Sequence, residues 1–478
     1  MSEVMDARPG RQPTIEPEVS HTRVFAIAMV AALGGFLFGF DTAVINGTVG
    51  ALGTTFAASP WAIGLTVSSA LVGSAIGALG GGRVADRSGR TRAMLIASVL
   101  FTLSALGSGL AVTLWDLSLW RLIGGAAVGI ASVVAPAYIA EIAPAHLRGR
   151  LGSLQQMAIV LGIFAALMGD YTIATQAGSA SNPYWFNIPA WRWMFWTELP
   201  PAIAYGIGAL LIPESPRYLM LRGRDEEALV VLRTVIGATA PKRAVEIRAS
   251  VQLDQEAPRF ADLKGGRRFG LLPVVWAGIA LATLQQFVGI NVIFYYSSVL
   301  WQAVGFSEQS SLAITVFTSV TNIVTTLIAI AFVDRLGRKP LLLAGSVGMA
   351  LTLGVLAYMF GTAPLDATGR PVLQGTGGLI ALVAANLYVF CFGFSWGPVV
   401  WVLLGEMFPN RIRALAVSLA AAAQWVANFI VSVTFPTLQN LGLGWAYGLY
   451  TAAAVVSFFF TLRWVKETKN KELEEIGG

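Results

Sequence analysis

The chain has 478 residues, of which 55% are hydrophobic and only 12% are charged. Soluble globular proteins carry about a quarter charged residues, so this composition argues strongly against a soluble enzyme. The chain has one cysteine, Cys391, and two histidines, His21 and His146, which disfavours disulfides, Cys/His metal sites and a histidine proton relay. The formal net charge of +6 does not require a nucleic-acid partner, because membrane proteins carry a basic excess in their cytoplasmic loops.

Twelve apolar runs follow one another along the chain, each of a length that can cross about 30 Å of hydrocarbon. In two groups of six, the runs lie at about 24–47, 61–82, 93–113, 117–139, 151–173 and 191–212, and at about 270–303, 310–333, 340–361, 377–404, 414–436 and 443–465. The predicted fold class is therefore an all-α membrane protein with twelve transmembrane helices.

The distribution of Lys and Arg indicates the orientation of these spans. An even number of spans places both termini on one side, and assigning that side to the cytoplasm leaves all but three of the 32 basic residues there. The exceptions are Arg121 within the fourth run and, near the outer face, Arg192 and Arg370. By the positive-inside rule, the sequence predicts a multi-pass protein of the cell membrane with cytoplasmic termini.

The runs divide the chain into five predicted parts. These are a disordered cytoplasmic tail, an N-terminal half of six helices, a cytoplasmic helical linker, a C-terminal half of six helices and a second cytoplasmic tail, at residues 1–23, 24–212, 213–268, 269–465 and 466–478. In the linker, Ala228, Leu232 and Val235 have the spacing of short amphipathic helices that pack under the bundle. A helix that lies on the lipid surface is the alternative.

Two charged motifs recur in both halves. Asp-Arg-Ser-Gly-Arg at 86–90 and Asp-Arg-Leu-Gly-Arg at 334–338 are 248 residues apart, and each follows the second run of its half. Glu141 precedes Arg148 after the fourth run, as Glu406 precedes Arg413 after the tenth. Copies in the same orientation predict a parallel repeat, as in transporters whose six-helix halves rock about a central site. The charges either only orient the loops or, as the two acids favour, form salt bridges between the halves that close the inner side.

Ionisable residues within the apolar runs are Asp41, Arg121 and Glu198, with Asp170 nearer an outer end. A charge at the bilayer centre costs at least about 2.5–3.5 kcal/mol, so these side chains should face the bundle interior and pair with each other. Asp41 and Arg121 form either a structural ion pair or a functional site. The repeat favours a function, because the counterpart positions in the second half are Asn291 and Asn386.

We interpret Asp41 as a proton-binding group. Apolar surroundings favour the protonated form of a carboxyl group, and a nearby guanidinium favours the ionised form. A helix movement that changes the distance between Asp41 and Arg121 would therefore load or unload a proton. Glu198 either takes part in this step or completes the hydrogen bonding of the pair.

The apolar runs of the second half are rich in uncharged polar and aromatic residues, which are Gln285, Gln286, Asn291, Tyr295, Tyr296, Asn322, Trp396, Gln424, Trp425 and Asn428. Such a set suits a neutral polyhydroxylated ligand, although each residue could instead join helices by hydrogen bonds. Gln285 and Asn291 would lie about 120° apart on a regular helix, and a break at Gly289 is predicted to bring them together. An interfacial aromatic belt is predicted for Trp61, Trp185, Trp191 and Trp193.

Several motifs closely resemble the sugar porter family of the major facilitator superfamily. They are Gly-Phe-Asp-Thr-Ala-Val-Ile at 39–45, the two Asp-Arg-x-Gly-Arg loops, Pro-Glu-Ser-Pro-Arg at 213–217, Gln-Gln-Phe-Val-Gly-Ile-Asn at 285–291 and Gly-Pro-Val-Val-Trp at 397–401. The resemblance covers about residues 24–475 and implies alternating access for a monosaccharide. The chain departs from the family at Thr91, where a basic residue is usual, at Phe40, where Tyr is frequent, and in the C-terminal signature at 466–470.

The resemblance also implies roles for individual residues. An acid at position 41 marks proton symporters, whereas uniporting relatives commonly carry Asn there. The implied sugar contacts, to which we add Tyr295 and Asn428 from the polar set above, are Gln156, Gln285, Gln286, Asn291, Asn322, Trp396, Gln424 and Trp425. The implied cytoplasmic gate consists of Arg90, Glu141, Arg148, Glu214, Arg217, Arg338, Glu406 and Arg413.

The sequence thus predicts a secondary active transporter that imports a neutral monosaccharide, a hexose such as glucose or a pentose such as xylose, by proton symport. An uncoupled facilitator and a transporter-like sugar receptor are the alternatives. An ATP-driven pump lacks support because the chain has no G-x-x-x-x-G-K-[ST] loop, and no intramembrane nucleophile or metal cluster indicates an enzyme. The predicted partners are the sugar, protons and the lipid bilayer, with no cofactor and no nucleic acid, and the protein is expected to act as a monomer.

Overall fold

The structure is a computed structural model that describes residues 21–144, 148–253, 260–265, 270–364, 371–373, 375–409 and 412–467. Within these ranges the chain folds into nineteen α-helices, and no β-strand is present among them. The two predicted tails lie almost entirely outside the described residues, as do His146 and Arg370.

The helices follow one another in three groups. Those of the first half are α1 (His21–Ala43), α2 (Ile45–Thr55), α3 (Pro60–Ser88), α4 (Arg90–Leu110), α5 (Leu114–Ile142), α6 (Arg148–Ala177), α7 (Ala190–Trp196) and α8 (Leu199–Leu211). Those between the halves are α9 (Pro216–Leu221), α10 (Asp225–Ile236) and α11 (Ala240–Leu253). Those of the second half are α12 (Pro273–Phe287), α13 (Ile290–Ala303), α14 (Glu308–Leu336), α15 (Arg338–Gly361), α16 (Gly375–Gly393), α17 (Trp396–Glu406), α18 (Arg413–Leu441) and α19 (Leu443–Trp464).

These helices form twelve membrane spans. Eleven stretches of the described chain are long and apolar enough to cross a membrane without a further piece. The sixth span is divided at Thr197 and Glu198 into α7 and α8, each of which is shorter than a bilayer is thick. Three other spans also consist of two helices, which are α1 with α2, α12 with α13, and α16 with α17. The predicted all-α fold of twelve transmembrane helices is confirmed.

The two halves repeat each other in local detail. Helix α3 meets α4 at Gly89, and α14 meets α15 at Gly337. At the opposite ends, Ser59 caps α3 and Ser307 caps α14, each accepting a hydrogen bond from a backbone N–H three residues on. Both pairs of positions are 248 residues apart, as the parallel repeat predicts. We call the end of the bundle that carries the basic loops the inner end, in keeping with the predicted orientation, and the opposite end the outer end.

Small residues let the helices of the first half approach closely. A Cβ atom on Gly73 of α3 would overlap the carbonyl oxygen of Leu122 on α5, and a Cβ atom on Gly125 of α5 would overlap the carbonyl oxygen of Ala70 on α3. Close backbone approach at small residues is a common way for transmembrane helices to associate. The second and fourth spans are therefore in backbone contact.

We expect the substitution Gly73→Val to destabilise the protein. The added side chain would meet the backbone of α5, and overpacking of this kind costs about 1–3 kcal/mol. The thermal unfolding midpoint of the purified protein measures the effect. The matched control is Gly80→Val in the same helix, because a side chain added at Gly80 meets open space. Equal losses of stability in the two variants would contradict the packing argument.

The helices between the halves pack on one another and on the first half. Their shared core consists of Leu219, Met220, Ala228, Leu232 and Ala240. Val235 belongs to the buried cluster of the first half, and the hydroxyl of Tyr218 donates a hydrogen bond to the carbonyl of Arg87. The apolar side of α10 thus contacts protein, which favours packing under the bundle over a position on the lipid surface.

The outer aromatic residues depart from the predicted belt at one position. Trp61 and Trp185 are exposed and Trp193 is partly exposed, as an interfacial belt requires. The assignment of Trp191 to that belt is wrong, because its side chain is completely buried and lies under the guanidinium of Arg192. Its place on the short helix α7 turns the ring into the bundle.

Candidate functional site

Asp41 and Arg121 form a buried ion pair within the first half. Nη1 of Arg121 donates to Oδ1 of Asp41 at 2.7 Å, and Nη2 donates to the backbone carbonyl of Asp41 at 2.9 Å. Asp41 lies near the end of α1, two residues before that helix stops, and Arg121 lies on α5. Both side chains are almost fully excluded from solvent, with 0% and 1% of their surfaces exposed. The predicted pair therefore exists and faces the bundle interior.

Glu198 is a third ionisable group at this site. It occupies the break between α7 and α8, is 1% exposed, and interacts electrostatically with both members of the pair. Oδ2 of Asp41, Nε of Arg121 and Oε1 of Glu198 have no hydrogen-bond partner among the described residues. A buried carboxylate oxygen without a partner can accept a proton without breaking an existing hydrogen bond. The carboxyl groups of Asp41 and Glu198 can thus each take up a proton here, and Arg121 supplies a fixed positive charge beside them.

Four amide side chains of the second half form one hydrogen-bonded network. The hub is Gln285, whose Nε2 donates to two backbone carbonyls of α17 and whose Oε1 accepts from Gln424 at 2.8 Å and from Gln286 at 3.4 Å. Oε1 of Gln286 in turn accepts from Asn291 at 2.5 Å. We call Gln285, Gln286, Asn291 and Gln424 the amide network. It joins α12, α13 and α18.

The predicted helix break at Gly289 is confirmed, and it creates this network. Gly289 has a φ of +85°, a left-handed conformation that favours glycine. The break separates α12 from α13 and lets Asn291 reach the side chain of Gln286. Asn291 and Gln424 are partly exposed, whereas Gln285 and Gln286 are buried beneath them. Asn291 and Gln424, the partly exposed members of the network, are therefore the ones able to contact a ligand.

A small cavity lies between Arg121 of the ion pair and Tyr295 of the second half. Its walls include Arg121 and Thr42 from the first half and Tyr295 from the second half, and its volume of about 10 Å³ is close to that of one water molecule. Tyr295 lies on α13 one turn beyond Asn291, a rise of about 6 Å along the helix. A shift of α13 that moves Asn291 would therefore also move the wall that faces Arg121.

The remaining predicted sugar contacts occupy two kinds of surroundings. Gln156, Asn322 and Trp425 are partly exposed, and the ring of Trp425 lies 6.1 Å from the ring of Phe38 across the two halves. Asn428 and Trp396 are buried.

Trp396 and Asn428 bond within the second half. The indole N–H of Trp396 donates to the carbonyl of Leu342 at 3.0 Å and to the hydroxyl of Ser346 at 2.9 Å, both on α15. The amide of Asn428 donates to the hydroxyl of Tyr295 at 3.5 Å and accepts from Ser432. In this conformation Trp396 supports α17, and Asn428 positions Tyr295.

The predicted gate residues of the first half form a bonded cluster at the inner end. The guanidinium of Arg90 donates two hydrogen bonds to Glu141, at 3.1 and 3.0 Å. Glu214 accepts from the backbone N–H of Arg90 at 2.9 Å and from the hydroxyl of Thr91 at 2.9 Å. Ser215 also donates to Glu141. Thr91, one of the positions that depart from the family pattern, thus binds the same acid that caps α4.

The second half repeats this arrangement with different residues. The guanidinium of Arg338 donates to Glu406 at 3.1 and 2.7 Å. Glu467 accepts from the backbone N–H groups of Arg338 and Lys339, each at 3.0 Å. Arg413 donates to the carbonyl of Phe408. The ion pairs named here lie within a half, and the predicted salt bridges between halves stay a prediction.

Arg148 and Arg217 are the two remaining predicted gate residues. Arg217 is the second residue of α9, and Arg148 begins α6, but the side chain of Arg148 lies outside the described residues. The inner clusters also contain three residues that the predicted gate does not include, which are Thr91, Ser215 and Glu467. The repeat offered a signal for Glu467, because it follows the last span of its half just as Glu214 does, 253 residues earlier.

The outer ends of the two halves are joined. Nδ2 of Asn46 on α2 donates to the carbonyl of Phe294 at 2.9 Å, and its Oδ1 accepts from the backbone N–H of Ser298 on α13 at 3.1 Å. Glu308 at the start of α14 accepts from Ser179 and from the backbone of Ala180, just after α6. The main buried apolar cluster also runs continuously from the outer part of the first half into the second half. The outer side is closed, as it is in any inward-facing or occluded state of an alternating-access transporter.

Comparisons with known proteins agree with this architecture. A sequence model of the family described as "Sugar (and other) transporter" matches residues 27–477. The chain is 62% identical over 455 residues to a glucose transport protein of Synechocystis, covering 95% of this chain and 97% of that protein. It is 40% identical over 490 residues to the D-xylose-proton symporter of Escherichia coli, covering 95% of each. The solved inward-open structure of the xylose transporter from Escherichia coli superimposes with a TM-score of 0.81 at 39% identity, covering 95% and 99% of the two chains.

Proposed function

This chain belongs to the sugar porter family of the major facilitator superfamily and is a multi-pass membrane sugar transporter, and from that premise we propose that it imports a monosaccharide together with a proton. We place it in the cell membrane with both termini cytoplasmic, acting as a monomer without a cofactor. The observation that carries the proposal is the cavity shared by Arg121 and Tyr295. Arg121 belongs to the proposed coupling site and Tyr295 to the proposed sugar contacts, so the cavity lies between a residue of each.

Proton coupling in this proposal depends on the distance between Asp41 and Arg121. At the observed 2.7 Å the guanidinium stabilises the ionised carboxylate. When Arg121 withdraws, a carboxylate without a partner in an apolar interior is strongly disfavoured, so Asp41 takes up a proton. The present structure, with its outer side closed and the pair in contact, then corresponds to the state after the proton has left. Glu198 offsets the charge of Arg121 while Asp41 is neutral.

The amide network supplies the sugar site in this proposal. Its members can each donate and accept, which matches the hydroxyl groups of a sugar, and they carry no charge that would select an ion. Trp425 and Tyr295 offer aromatic surface for the CH groups of the ring. A relative named for glucose and another named for xylose support hexoses and pentoses as the substrate class.

Alternating access in this proposal exchanges two sets of contacts. The outer set, from Asn46 to α13 and from Glu308 to the end of α6, is formed here. The inner clusters around Arg90 and Arg338 hold the loops of each half in place, and we expect their members to exchange bonds across the halves when the inner side closes. A sugar that bridges the amide network and the first half would favour the states in which both halves contact it, with both the inner and the outer side closed.

Uptake by purified protein in proteoliposomes tests the proposal. A panel of aldohexoses, aldopentoses, polyols and amino acids is offered with no pH gradient and with an inwardly directed proton gradient. We expect uptake of one or more monosaccharides and accumulation above the external concentration only when the gradient is present. Equilibration without accumulation would establish the facilitator instead, and binding without any uptake would establish the receptor.

A further inference from the structure

We call the contact of Asn46 on α2 with Phe294 and Ser298 on α13 the outer gate. A second buried carboxyl group lies beside this gate and is not part of the proposed coupling site. Asp170 on α6 is completely buried, and Oδ2 accepts one hydrogen bond, from the backbone N–H of Gly47 on α2 at 3.1 Å. Oδ1 has no partner among the described residues. The proposed transport mechanism gives this group no task.

Among the described residues, no cation is paired with the carboxyl group of Asp170. Helix α6 packs against α1, α2, α5, α7 and α14, and α2 carries no ionisable side chain. Arg121 of α5 is bound to Asp41 of α1, and Arg192 of α7 donates to two carbonyls at the end of α4. Glu308 of α14 accepts from residues 179 and 180. Toward the ends of these helices, or beside Asp170 on α6, the other ionisable residues are His21, Arg23, Asp116, Tyr138, Glu141, Arg148, Arg150, Tyr171, Asp334 and Arg335.

The contact between α2 and α6 also excludes water. A Cβ atom on Gly47 would lie 2.6 Å from Cβ, Cγ and Oδ2 of Asp170, so only the missing side chain of glycine allows the two helices to meet here. An ionised carboxylate with one hydrogen bond and no counter-ion in such surroundings is strongly unfavourable. The closed outer gate is therefore compatible with a neutral carboxyl group at this position.

The same turn of α2 holds the outer gate. Asn46, next to Gly47, makes hydrogen bonds to the backbone of Phe294 and Ser298 on α13, and the hydroxyl of Ser298 donates to the carbonyl of Asn46 at 2.5 Å. Helix α2 is a short piece, separated from α1 at Val44 and held between α6 and α13. If α13 withdraws when the outer side opens, α2 loses its support on that side and water can reach the carboxyl group.

We propose that Asp170 is a second proton-binding site, which takes up a proton from the outside when α2 and α13 close the outer gate and returns it to the outside when the gate opens. Closing the gate removes water from the carboxylate, and an O–H bond forms as a proton from the outer solution binds. The proton goes back to the same side, so it regulates the gate and adds nothing to the number of protons transported per sugar. This site goes beyond the proposed coupling function of Asp41.

The test follows the gate directly rather than transport. Spin labels are placed at Thr55 on α2 and Gln302 on α13, both exposed near the outer ends. The distance between the two labels reports the width of the gate in the full chain, in nanodiscs without sugar. Cys391→Ser removes the native cysteine, and Asp41→Asn removes the proposed coupling site from the titration. Failure of proton symport would leave this measurement unaffected, because no sugar and no gradient are present.

We call the spin-labelled protein with Cys391→Ser and Asp41→Asn the parent. In the parent we expect the ratio of open to closed gate to rise with pH, by up to about tenfold per pH unit, since one proton is released on opening. Asp170→Asn keeps an acceptor for the N–H of Gly47 but cannot ionise, so its gate should stay closed at every pH. Asp170→Glu keeps the titration and should still open at high pH. Asp116→Asn, at a partly exposed acid of the outer end, should behave as the parent.

Two results would overturn the proposal. One is a pH response in Asp170→Asn equal to that of the parent, because another group would then control the gate. The other is a parent gate whose width does not change between acid and alkaline pH. A monodisperse Asp170→Asn preparation with the closed distance at acid pH shows that the variant is folded and has the native gate.

Discussion

Asp41→Asn is expected to abolish the accumulation of sugar while leaving sugar exchange across the membrane intact. Asparagine has nearly the same shape and keeps an oxygen that can accept from Nη1 of Arg121, and the bond from Nη2 goes to the backbone. The buried geometry therefore survives the substitution. What is lost is the ability to bind and release a proton.

The size of the effect follows from the energy of the gradient. One proton that moves down one pH unit supplies about 1.4 kcal/mol, which supports about tenfold accumulation of sugar at a stoichiometry of one. The variant should stop at equal concentrations inside and outside. Uptake into proteoliposomes with an imposed pH gradient measures accumulation, and counterflow of labelled sugar without a gradient measures exchange.

Asp116→Asn is the matched control for this experiment. Asp116 is an acid at the outer end of α5 that accepts from the backbone N–H of Val112 and is partly exposed. Its substitution removes the same chemical group without touching the buried site, so accumulation should persist. If Asp41→Asn still concentrated sugar, the proton would have to enter through another group and Asp41 would be structural.

The architecture was accessible from the sequence because the bilayer imposes a simple rule. A span must be about 20 apolar residues long, and the charged loops at 86–90 and 334–338 fix both the repeat and the side on which each loop lies. The breaks within spans were harder to foresee. Gly289 marks one of them, but Val44 and Ser395 interrupt spans 1 and 10 without a glycine or a left-handed φ.

The buried ion pair was predictable for a related reason. Few ionisable residues lie within the spans, and each must find a partner, so Asp41 and Arg121 had few alternatives. The direction of uncharged side chains is not fixed in this way, because one residue along a helix turns a side chain by about 100°. Trp191 belongs to the core rather than the belt, and Trp396 directs its indole N–H to α15. Span membership alone could not decide either case.

Gln285→Leu is expected to weaken sugar binding more than any other single substitution in the amide network. Gln285 makes two donor and two acceptor contacts, more than any other member. Leucine fills similar space but leaves Gln424 and Gln286 without their acceptor. Two amides would lose their orientation at once, and the carbonyls of α17 would lose their donor.

An unsatisfied buried polar group costs about 1–3 kcal/mol, which corresponds to about a 5- to 150-fold rise in the dissociation constant at 1.4 kcal/mol per tenfold. Equilibrium binding of the transported sugar to the purified protein measures it. Asn386→Leu is the matched control, since Asn386 is a partly buried amide of α16 that bonds to Thr321 and to the carbonyl of Leu382 outside the network. The dissociation constant of the Asn386→Leu variant should lie within about threefold of that of the unsubstituted protein. Equal losses in the two variants would mean that helix packing, rather than the network, determines affinity.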